Sequence, residues 1–314
     1  MRHHPNLVLT LFISLLISLQ TFSQKEKEVK VKAEIDKLYG TLLIPEGKKE
    51  VPVVLFIAGS GPTDRNGNQG MVQSNTTRLL AEGLAEKGIA SLRYDKQGVG
   101  KSAKAGKQEA DLVFEDMVTD AQLWVDYLLR KKEFSEVIIA GHSEGSLVGI
   151  LAAKDREVSK IISIAGAGRP IDEILLEQLG AQSEEFLEMA KPIIEKLKKG
   201  EEVTDTPPAL AALFRKSVQP FLISWMQYDP AAELKKLDKP ALILQGSTDI
   251  QVAVKDAELL SEVSEKSDLV LIEGMNHILK DAPEERNANM MTYSNPKLPL
   301  SDGVLSAIVD FVKE

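Results

Sequence analysis

Short apolar runs alternate with segments of helical periodicity along most of this 314-residue chain. Continuous runs rich in Val, Ile and Leu are typical of strands buried on both faces of a parallel sheet. The segments between them repeat their apolar residues at helical spacing and can serve as crossover helices. The sequence therefore predicts a doubly wound, mostly parallel α/β sheet. The predicted strands are 51–58, 89–94, 137–140, 160–165, 241–245 and 269–272, and the predicted helices are 74–87, 115–130, 147–154, 253–264 and 304–312.

The first residues differ from the rest of the chain. Residues 7–19 form an apolar run that follows Arg2 and precedes small residues, and the run is shorter than the about 20 residues of a permanent anchor. We therefore expect a signal peptide at 1–23, cleavage before Gln24, and an exported protein that is periplasmic or secreted. Residues 25–32 alternate charges with valine, which predicts a short linker into an edge strand, and 38–44 predicts a strand antiparallel to that edge.

No strand pattern is found between about residues 169 and 237, where helical patterns are punctuated by prolines. An insert of this length between two strands of the main sheet predicts a subdomain of its own. We therefore expect a helical lid at 169–237, which divides the core into 24–168 and 238–314. Its apolar residues are expected to form the core of the insert, and some of them to cover a site.

Composition excludes several classes of function. The sequence contains no Cys, so it has neither disulfides nor thiolate chemistry. A formal net charge of −9 argues against nucleic acid as a partner, because phosphate recognition favours a basic face. Once 1–23 is removed, only two of the four histidines remain, His142 and His277, which disfavours a metal site built on several histidines. No metal and no cofactor are expected.

A serine flanked by glycines follows the predicted strand 137–140 directly. Gly141-His142-Ser143-Glu144-Gly145 has the G-x-S-x-G pattern, in which the serine lies on a sharp strand-to-helix turn. The flanking positions must be glycine because side chains would collide in so tight a turn, and the helix N-terminus behind it provides free N–H groups. The pattern predicts that Ser143 is a nucleophile.

A serine nucleophile needs a base, and the base needs a carboxylate. His142 adjoins Ser143 on the turn and is expected to point away as a supporting residue, which leaves His277, directly after the strand 269–272, as the base. Asp249 follows the preceding strand, 241–245, and is the expected carboxylate. The carboxyl ends of parallel strands meet at one edge of the sheet, where α/β proteins place their sites.

The negative oxygen of an acyl-transfer intermediate needs two hydrogen-bond donors. The backbone N–H of Glu144, the residue after the nucleophile, is the first expected donor. The loop Ala58-Gly59-Ser60-Gly61-Pro62 follows the first long strand, and its small residues allow close approach of the backbone. The N–H of Ser60 is the expected second donor.

Taken together, these segments resemble the α/β-hydrolases. The resemblance covers nearly all of the chain after residue 23, and is nearest to the lidded esterases and the serine aminopeptidase-like hydrolases. Besides the segments around Ser60, Ser143, Asp249 and His277, the stretch Tyr94-Asp95-Lys96-Gln97-Gly98-Val99-Gly100-Lys101-Ser102 matches. This chain has Ala58-Gly59 where the family often has His-Gly. The resemblance implies transfer of an acyl group to water without a cofactor.

The function expected from the sequence is that of a serine carboxylic-ester hydrolase acting on small to medium acyl or aryl esters, with no permanent membrane anchor. A serine aminopeptidase with the same triad is the first alternative. It would need an anionic subsite for the substrate ammonium, for which Glu144, Glu173 and Glu177 are candidates. A non-catalytic binding protein on a hydrolase scaffold is the second alternative, and the preserved order of Ser143, Asp249 and His277 argues against it.

Two further motifs are rejected. Gly98–Ser102 resembles the end of a phosphate-binding loop, but Asp95 occupies the place of the first glycine. Asp64–Asn68 resembles part of a calcium loop, but its glycine is misplaced and Asn75 stands where a bidentate glutamate belongs. The second loop is expected to shape the rim of the site beside Ser60.

Overall fold

The computed structural model describes residues 24–47 and 49–314. The predicted signal peptide, 1–23, lies outside the described residues. Eight strands form one sheet: β1 Gln24–Lys32, β2 Lys37–Pro45, β3 Val51–Ile57, β4 Ala90–Tyr94, β5 Phe134–His142, β6 Lys160–Ile164, β7 Ala241–Gly246 and β8 Ser267–Ile272. They lie in the order β1-β2-β4-β3-β5-β6-β7-β8.

Strands β3 to β8 are parallel to one another, whereas β2 is antiparallel to both β1 and β4. The predicted doubly wound sheet and the predicted antiparallel strand are thus confirmed. The prediction of a linker at 25–32 is wrong, because these residues belong to the edge strand itself. Only Val29 and Val31 are buried there. The alternation of charges and valines therefore reflects a strand with one face on the core and the other exposed to solvent.

Helices connect the parallel strands and cover both faces of the sheet. The five predicted helices are confirmed, with ends that differ by up to three residues. The eleven α-helices of the described residues are α1 Thr76–Glu86, α2 Phe114–Leu129, α3 Glu144–Ala152, α4 Ile171–Gly180, α5 Glu184–Lys198, α6 Ala211–Phe214, α7 Gln219–Trp225, α8 Pro230–Leu237, α9 Val254–Glu262, α10 Arg286–Met291 and α11 Val304–Lys313.

Side chains alternate between the two faces along the central strands. In β3, Val53 and Leu55 contribute to the core beneath α2 and α3, while Val54 and Phe56 contribute to the core beneath α1 and α11. Because successive side chains of a strand point to opposite faces, an unbroken apolar run is what a sheet covered on both sides requires. This double burial holds the strand ends in fixed positions.

The segment between β6 and β7 contains α4 to α8 and no strand. A third apolar core lies within it and includes Ile174, Ile194, Leu197, Phe214 and Leu222. Most of the apolar residues of the insert therefore pack against one another, as expected. Arg169 fixes the beginning of the insert to the sheet domain, since its guanidinium forms an ion pair of 2.7 Å with the fully buried carboxylate of Asp256.

Two small elements were absent from the sequence-based predictions. Asn68–Gln69 and Val72–Gln73 form a short antiparallel hairpin between β3 and α1, and α10 lies between β8 and α11. In residues 24–47 and 49–314, no helix has the length and apolar character needed to cross a membrane.

Candidate active site

Ser143 lies at the junction of β5 and α3 in a conformation that non-glycine residues rarely adopt, with φ 54° and ψ −122°. The backbone is packed so tightly there that a Cβ on Gly141 would lie 2.0 Å from the carbonyl oxygen of Gly145. A Cβ on Gly145 would lie 2.3 Å from the carbonyl oxygen of Ile57. The glycines predicted to flank the turn are therefore required by close contact of two backbones.

Asp249 and His277 are brought together by two neighbouring strands. Asp249 follows β7 and His277 follows β8, and these strands pair in parallel. The Nδ1–H group of His277 donates to Oδ2 of Asp249 over 2.8 Å, and both side chains are almost fully buried. Because Nδ1 keeps its proton and donates it as a hydrogen bond to the carboxylate, Nε2 of the neutral imidazole is free to accept a proton.

The Asp249 carboxylate is held ionised by its partners. Burial alone would raise its pKa, but the His277 ring and two backbone N–H groups outweigh burial and lower the pKa below the ordinary value. Those N–H groups belong to Gln251 and Val252, at 2.7 and 3.0 Å from Oδ1. The buried amide of Gln245 also donates to Oδ2 over 3.1 Å. Gln245 was not predicted as a site residue, because a single glutamine in an apolar strand does not show whether its side chain faces the site.

His142 supports His277 and is kept neutral. Burial, together with the neighbouring His277 ring, lowers the pKa of His142 to about 4. Its Nε2–H donates to the backbone carbonyl of His277 over 2.7 Å. The expectation that His142 is a supporting residue agrees with this contact.

Asn276 shapes the loop that carries His277. It is fully buried, and its Oδ1 accepts from the backbone N–H groups of Ile278 and Lys280. Its Nδ2 donates to Asn289 of α10 and to Thr292. The small helix α10 thus braces the loop from behind. The dipeptide Asn276-His277 is part of the sequence resemblance, but the sequence alone does not show that the Asn276 side chain holds the loop.

A cavity of about 490 Å³ opens at this edge of the sheet, and Ser143, His277, Ser60 and Glu144 all line it. The structure thus brings four of the five predicted site residues to the wall of one cavity, with Asp249 behind His277. The insert contributes Leu175, Leu213, Leu222 and Trp225, which give one side of the cavity an apolar surface. Gln69, Gln178, Gln251 and Tyr293 form a polar part of the lining that the sequence did not predict.

The loop after β3 and the residue after Ser143 are linked through one lysine. Lys96 Nζ lies 2.9 Å from the carbonyl oxygen of Gly59 and 2.9 Å from Oε1 of Glu144. Ser60, the expected second donor, is exposed where it lines the cavity. In the sequence, Lys96 belongs to the stretch 94–102 that resembles the α/β-hydrolases, and the motif itself assigns it no role.

The three candidate residues for an anionic subsite are placed differently from what an aminopeptidase needs. The carboxylate of Glu144 is buried in its ion pair with Lys96. Glu177 pairs with Arg169 and with Lys255, and Glu173 is exposed and does not line the cavity. None of the three offers an unpaired carboxylate to the cavity.

The loop at 64–68 is fixed from below by Asp95, which follows β4. Its carboxylate accepts from the backbone N–H, Nε and Nη2 of Arg65, and from the backbone N–H of Lys101. Asp64 is occupied in turn by the N–H groups of Asn66 and Asn68. Within the described residues, no group of three or more His, Cys, Asp or Glu side chains is arranged to hold a metal ion.

Comparison with solved structures identifies the architecture. Est1E from Butyrivibrio proteoclasticus with bound ferulic acid superposes with a TM-score of 0.62 over 91% of this chain and 96% of its own, at 22% identity. The esterase Pf2001 of Pyrococcus furiosus gives a TM-score of 0.58 over 100% of this chain and 97% of its own, at 16% identity. The chain has the α/β-hydrolase fold. The fold implied by the sequence motifs is thereby confirmed.

Sequence comparisons place the chain near hydrolases of this fold. The family described as serine aminopeptidase, S33, matches residues 70–218, a segment that includes Ser143 but ends before Asp249 and His277. Esterase EstD of Thermotoga maritima is 29% identical over 266 residues, which are 82% of this chain. The matched region spans only 60% of the length of that esterase.

Proposed function

We propose that this α/β-hydrolase is a serine carboxylic-ester hydrolase. The observation that supports the proposal best is the strained Ser143 turn, which opens into the same cavity as a histidine already bonded to a buried carboxylate. In α/β-hydrolases this arrangement of serine, acid and histidine performs acyl transfer. The similarity to Esterase EstD supports an ester substrate.

In the proposed mechanism, Oγ of Ser143 attacks the ester carbonyl while Nε2 of His277 takes its proton. Asp249 holds the ring in the required tautomer and stabilises the imidazolium that forms. The N–H groups of Glu144 and Ser60 bind the negative oxygen of the tetrahedral intermediate. His277 returns the proton to the leaving alcohol, and an acyl-enzyme remains. Water then attacks the acyl-enzyme by the same route, which releases the acid and restores Ser143.

The cavity favours small to medium acyl or aryl groups. Its volume of about 490 Å³ lies within the range of small-ligand pockets, and the side formed by the insert is apolar. We propose that the insert acts as the lid of the site, because Trp225, Leu222 and Leu213 stand between the cavity and the core of the insert. Glu144 is the one acidic residue among the described residues that line the cavity, and its carboxylate is already paired with Lys96. This arrangement favours esters over peptides with a free amino terminus.

The test compares p-nitrophenyl esters of increasing acyl length with p-nitroanilides of amino acids. We expect ester turnover that falls with chain length, and turnover of the anilides at least about 100-fold slower. Acetylated and free-amine anilides are compared in parallel, because only an aminopeptidase distinguishes them. Fast cleavage of the free-amine anilides with poor ester turnover would contradict the proposal and support the aminopeptidase alternative. The description of the matched family, serine aminopeptidase, is the reason to test that alternative.

We also propose that the protein is exported after removal of 1–23. The support is the short apolar run behind Arg2 and the small residues that follow it. Expression of the full chain, followed by cell fractionation and N-terminal sequencing, is expected to give a mature form that begins at Gln24 outside the cytoplasm. An intact Met1 on cytoplasmic protein would contradict the proposal.

A further inference from the structure

Lys96 occupies the junction of three strand ends beneath the cavity. It follows Asp95 in the loop after β4, which lies beside β3, and β3 lies beside β5. Ser60 lies in the loop after β3, and Glu144 begins α3 just after β5; these are the two expected oxyanion donors. Its side chain is only 11% exposed, so the ammonium is shielded from bulk water.

Each of the two hydrogen bonds of the Lys96 ammonium goes to a residue that belongs to, or adjoins, one of the two expected oxyanion donors. One bond goes to the carbonyl oxygen of Gly59 and the other to Oε1 of Glu144, both over 2.9 Å. The carbonyl of Gly59 and the N–H of Ser60 belong to the same planar peptide unit, and in a trans peptide they point in opposite directions. Holding the carbonyl towards Lys96 therefore holds the Ser60 N–H away from Lys96.

This peptide unit lies directly against the nucleophile. A Cβ on Gly59 would be 3.1 Å from Cβ of Ser143 and 3.2 Å from Nδ1 of His142. A rotation of the Gly59–Ser60 peptide would therefore reorient an expected donor beside the nucleophile. A positive charge on the carbonyl side also polarises the peptide and strengthens its N–H as a donor.

Glu144 completes the arrangement from the other side. Its side chain is 2% exposed, and Lys96 is its ion-pair partner. The same residue presents the second N–H at the start of α3. One ammonium thus connects the carbonyl of one donor peptide with the side chain of the residue that supplies the other donor.

We propose that Lys96 is a positioning residue, which orients the Ser60 and Glu144 N–H groups for the transition state. The proposal rests on the ester-hydrolase function proposed above. Lys96 lies behind the donors and contacts no substrate in this role. Its removal should therefore lower kcat while leaving KM nearly unchanged, because the oxyanion contacts strengthen only as charge develops on the oxygen.

The test compares Lys96→Met, which removes the donor, with Lys96→Gln, which retains an amide that can donate to the Gly59 carbonyl. Lys154→Met is the matched control, since Lys154 also pairs with a partly buried glutamate, Glu233, but lies beyond the opposite end of α3. We expect kcat for p-nitrophenyl acetate to fall about 30- to 300-fold in Lys96→Met, less in Lys96→Gln, and less than about 2-fold in the control. KM should change by less than about 3-fold in all three variants.

Affinity for a boronic acid, which forms a tetrahedral adduct with serine, gives the second readout. We expect it to weaken in Lys96→Met in proportion to kcat/KM, while binding of the product carboxylate stays unchanged. If Lys96→Met does not fold, Lys96→Gln and Glu144→Gln are compared instead, and each should lower kcat with KM retained.

The outcomes separate the two proposals. Wild-type protein that hydrolyses no ester would overturn the function itself. Active wild-type protein with folded Lys96→Met as active as Lys154→Met would overturn only the role of Lys96. Equal losses in kcat and in product binding would also overturn it, because a general distortion of the cavity would produce that result.

Discussion

At the scale of single residues, the chemistry depends on which proton each side chain holds. The Asp249 carboxylate accepts hydrogen bonds from Nδ1–H of His277, from two backbone N–H groups and from the Gln245 amide. These contacts fix the tautomer of His277 and the direction of its free Nε2. His142, which has the same side chain, is held neutral and serves as a backbone brace. Two identical rings thus differ in role because their partners differ.

Replacement of the carboxylate by an amide tests the tautomer argument. In Asp249→Asn, the amide NH₂ can donate a hydrogen bond to Nδ1 of His277. The ring proton would then reside on Nε2, and a protonated Nε2 cannot accept the proton of Ser143. We expect kcat for esters to fall on the order of 10³- to 10⁴-fold with a native-like melting temperature. Asp268→Asn makes the same chemical change at an exposed position of β8 and should retain full activity. A loss of less than about 10-fold in Asp249→Asn would contradict the role of Asp249.

His142 predicts a particular dependence of stability on pH. The pKa of His142 is about 4 in the folded protein, against an ordinary value of 6.5 for an unfolded chain. At a pH between these two values, the unfolded chain binds a proton at His142 and the folded chain does not. Folding stability contributed by this residue therefore falls as the pH drops from about 6.5 to 4, on the order of 2 kcal/mol by pH 5.

The substitution His142→Gln removes this titration while retaining an amide that can donate to the His277 carbonyl. We expect the melting temperature of the variant to fall less between pH 7.5 and pH 5 than that of the wild type, by several degrees. Calorimetry at the two pH values measures the difference. Parallel curves for the two proteins would show that His142 is not the titrating group.

At the scale of elements, the turn between β5 and α3 holds its backbone in a strained conformation. Ser143 has a positive φ, and its flanking glycines lie against other backbones rather than against adaptable side chains. Strain of this kind persists because β5 is a central strand, hydrogen-bonded to β3 and β6 on its two sides. The packed sheet therefore provides the rigidity that the turn needs.

A methyl group at the turn should be severely disruptive. In Gly145→Ala, the new Cβ would lie 2.3 Å from the Ile57 carbonyl oxygen and 2.7 Å from that of Ala58. We expect a loss of about 2–4 kcal/mol in the free energy of unfolding, measured with urea, and loss of ester hydrolysis. Gly180→Ala in α4 is the control, because its Cβ would make only an ordinary 3.4 Å contact with Leu187. Equal stability of the two variants would contradict the packing argument.

The sequence identified elements according to how fully they are buried. Strands β3 to β8 were predictable because five of the six are mostly covered by helices and the sixth, β8, is still apolar enough to stand out from its flanks. The edge strand β1 was mistaken for a linker, since only Val29 and Val31 are buried. The two-residue strands of the hairpin are too short for any period to appear.

At the scale of the whole molecule, the site is the place where the carboxyl ends of several parallel strands meet. The loops after β3, β4, β5, β7 and β8 provide Ser60, Lys96, Ser143, Asp249 and His277. Residues that directly follow apolar strands could be assigned from the sequence, because sheet topology fixes where strand ends lie. Lys96 could not, because its partners, Gly59 and Glu144, are distant in sequence. Gln245 and Asn276 bond mainly to residues close to them in sequence, but no residue pattern shows which amide side chain faces the site.

The insert gives the molecule its apolar cavity wall. It has its own core, and Arg169 anchors its beginning to the buried Asp256 of α9. The absence of strand patterns over about 70 residues is what predicts an insert between the two strands. The side chains that face the cavity rather than the core of the insert could not be distinguished, since both sets are leucines and aromatics at helical spacing.

The most direct test of the account is to react the protein with a fluorophosphonate and to locate the adduct by peptide mass spectrometry. Ser143→Ala is compared with Ser146→Ala, a buried serine one turn further on whose hydroxyl is bonded to Ser163. In the wild type we predict a single adduct, on Ser143. In Ser143→Ala we predict no labelling and a loss of ester hydrolysis of at least about 10⁴-fold, and in Ser146→Ala we predict normal labelling. Ester hydrolysis by Ser143→Ala above about 1% of the wild-type rate, or an adduct on another residue, would contradict the central claim.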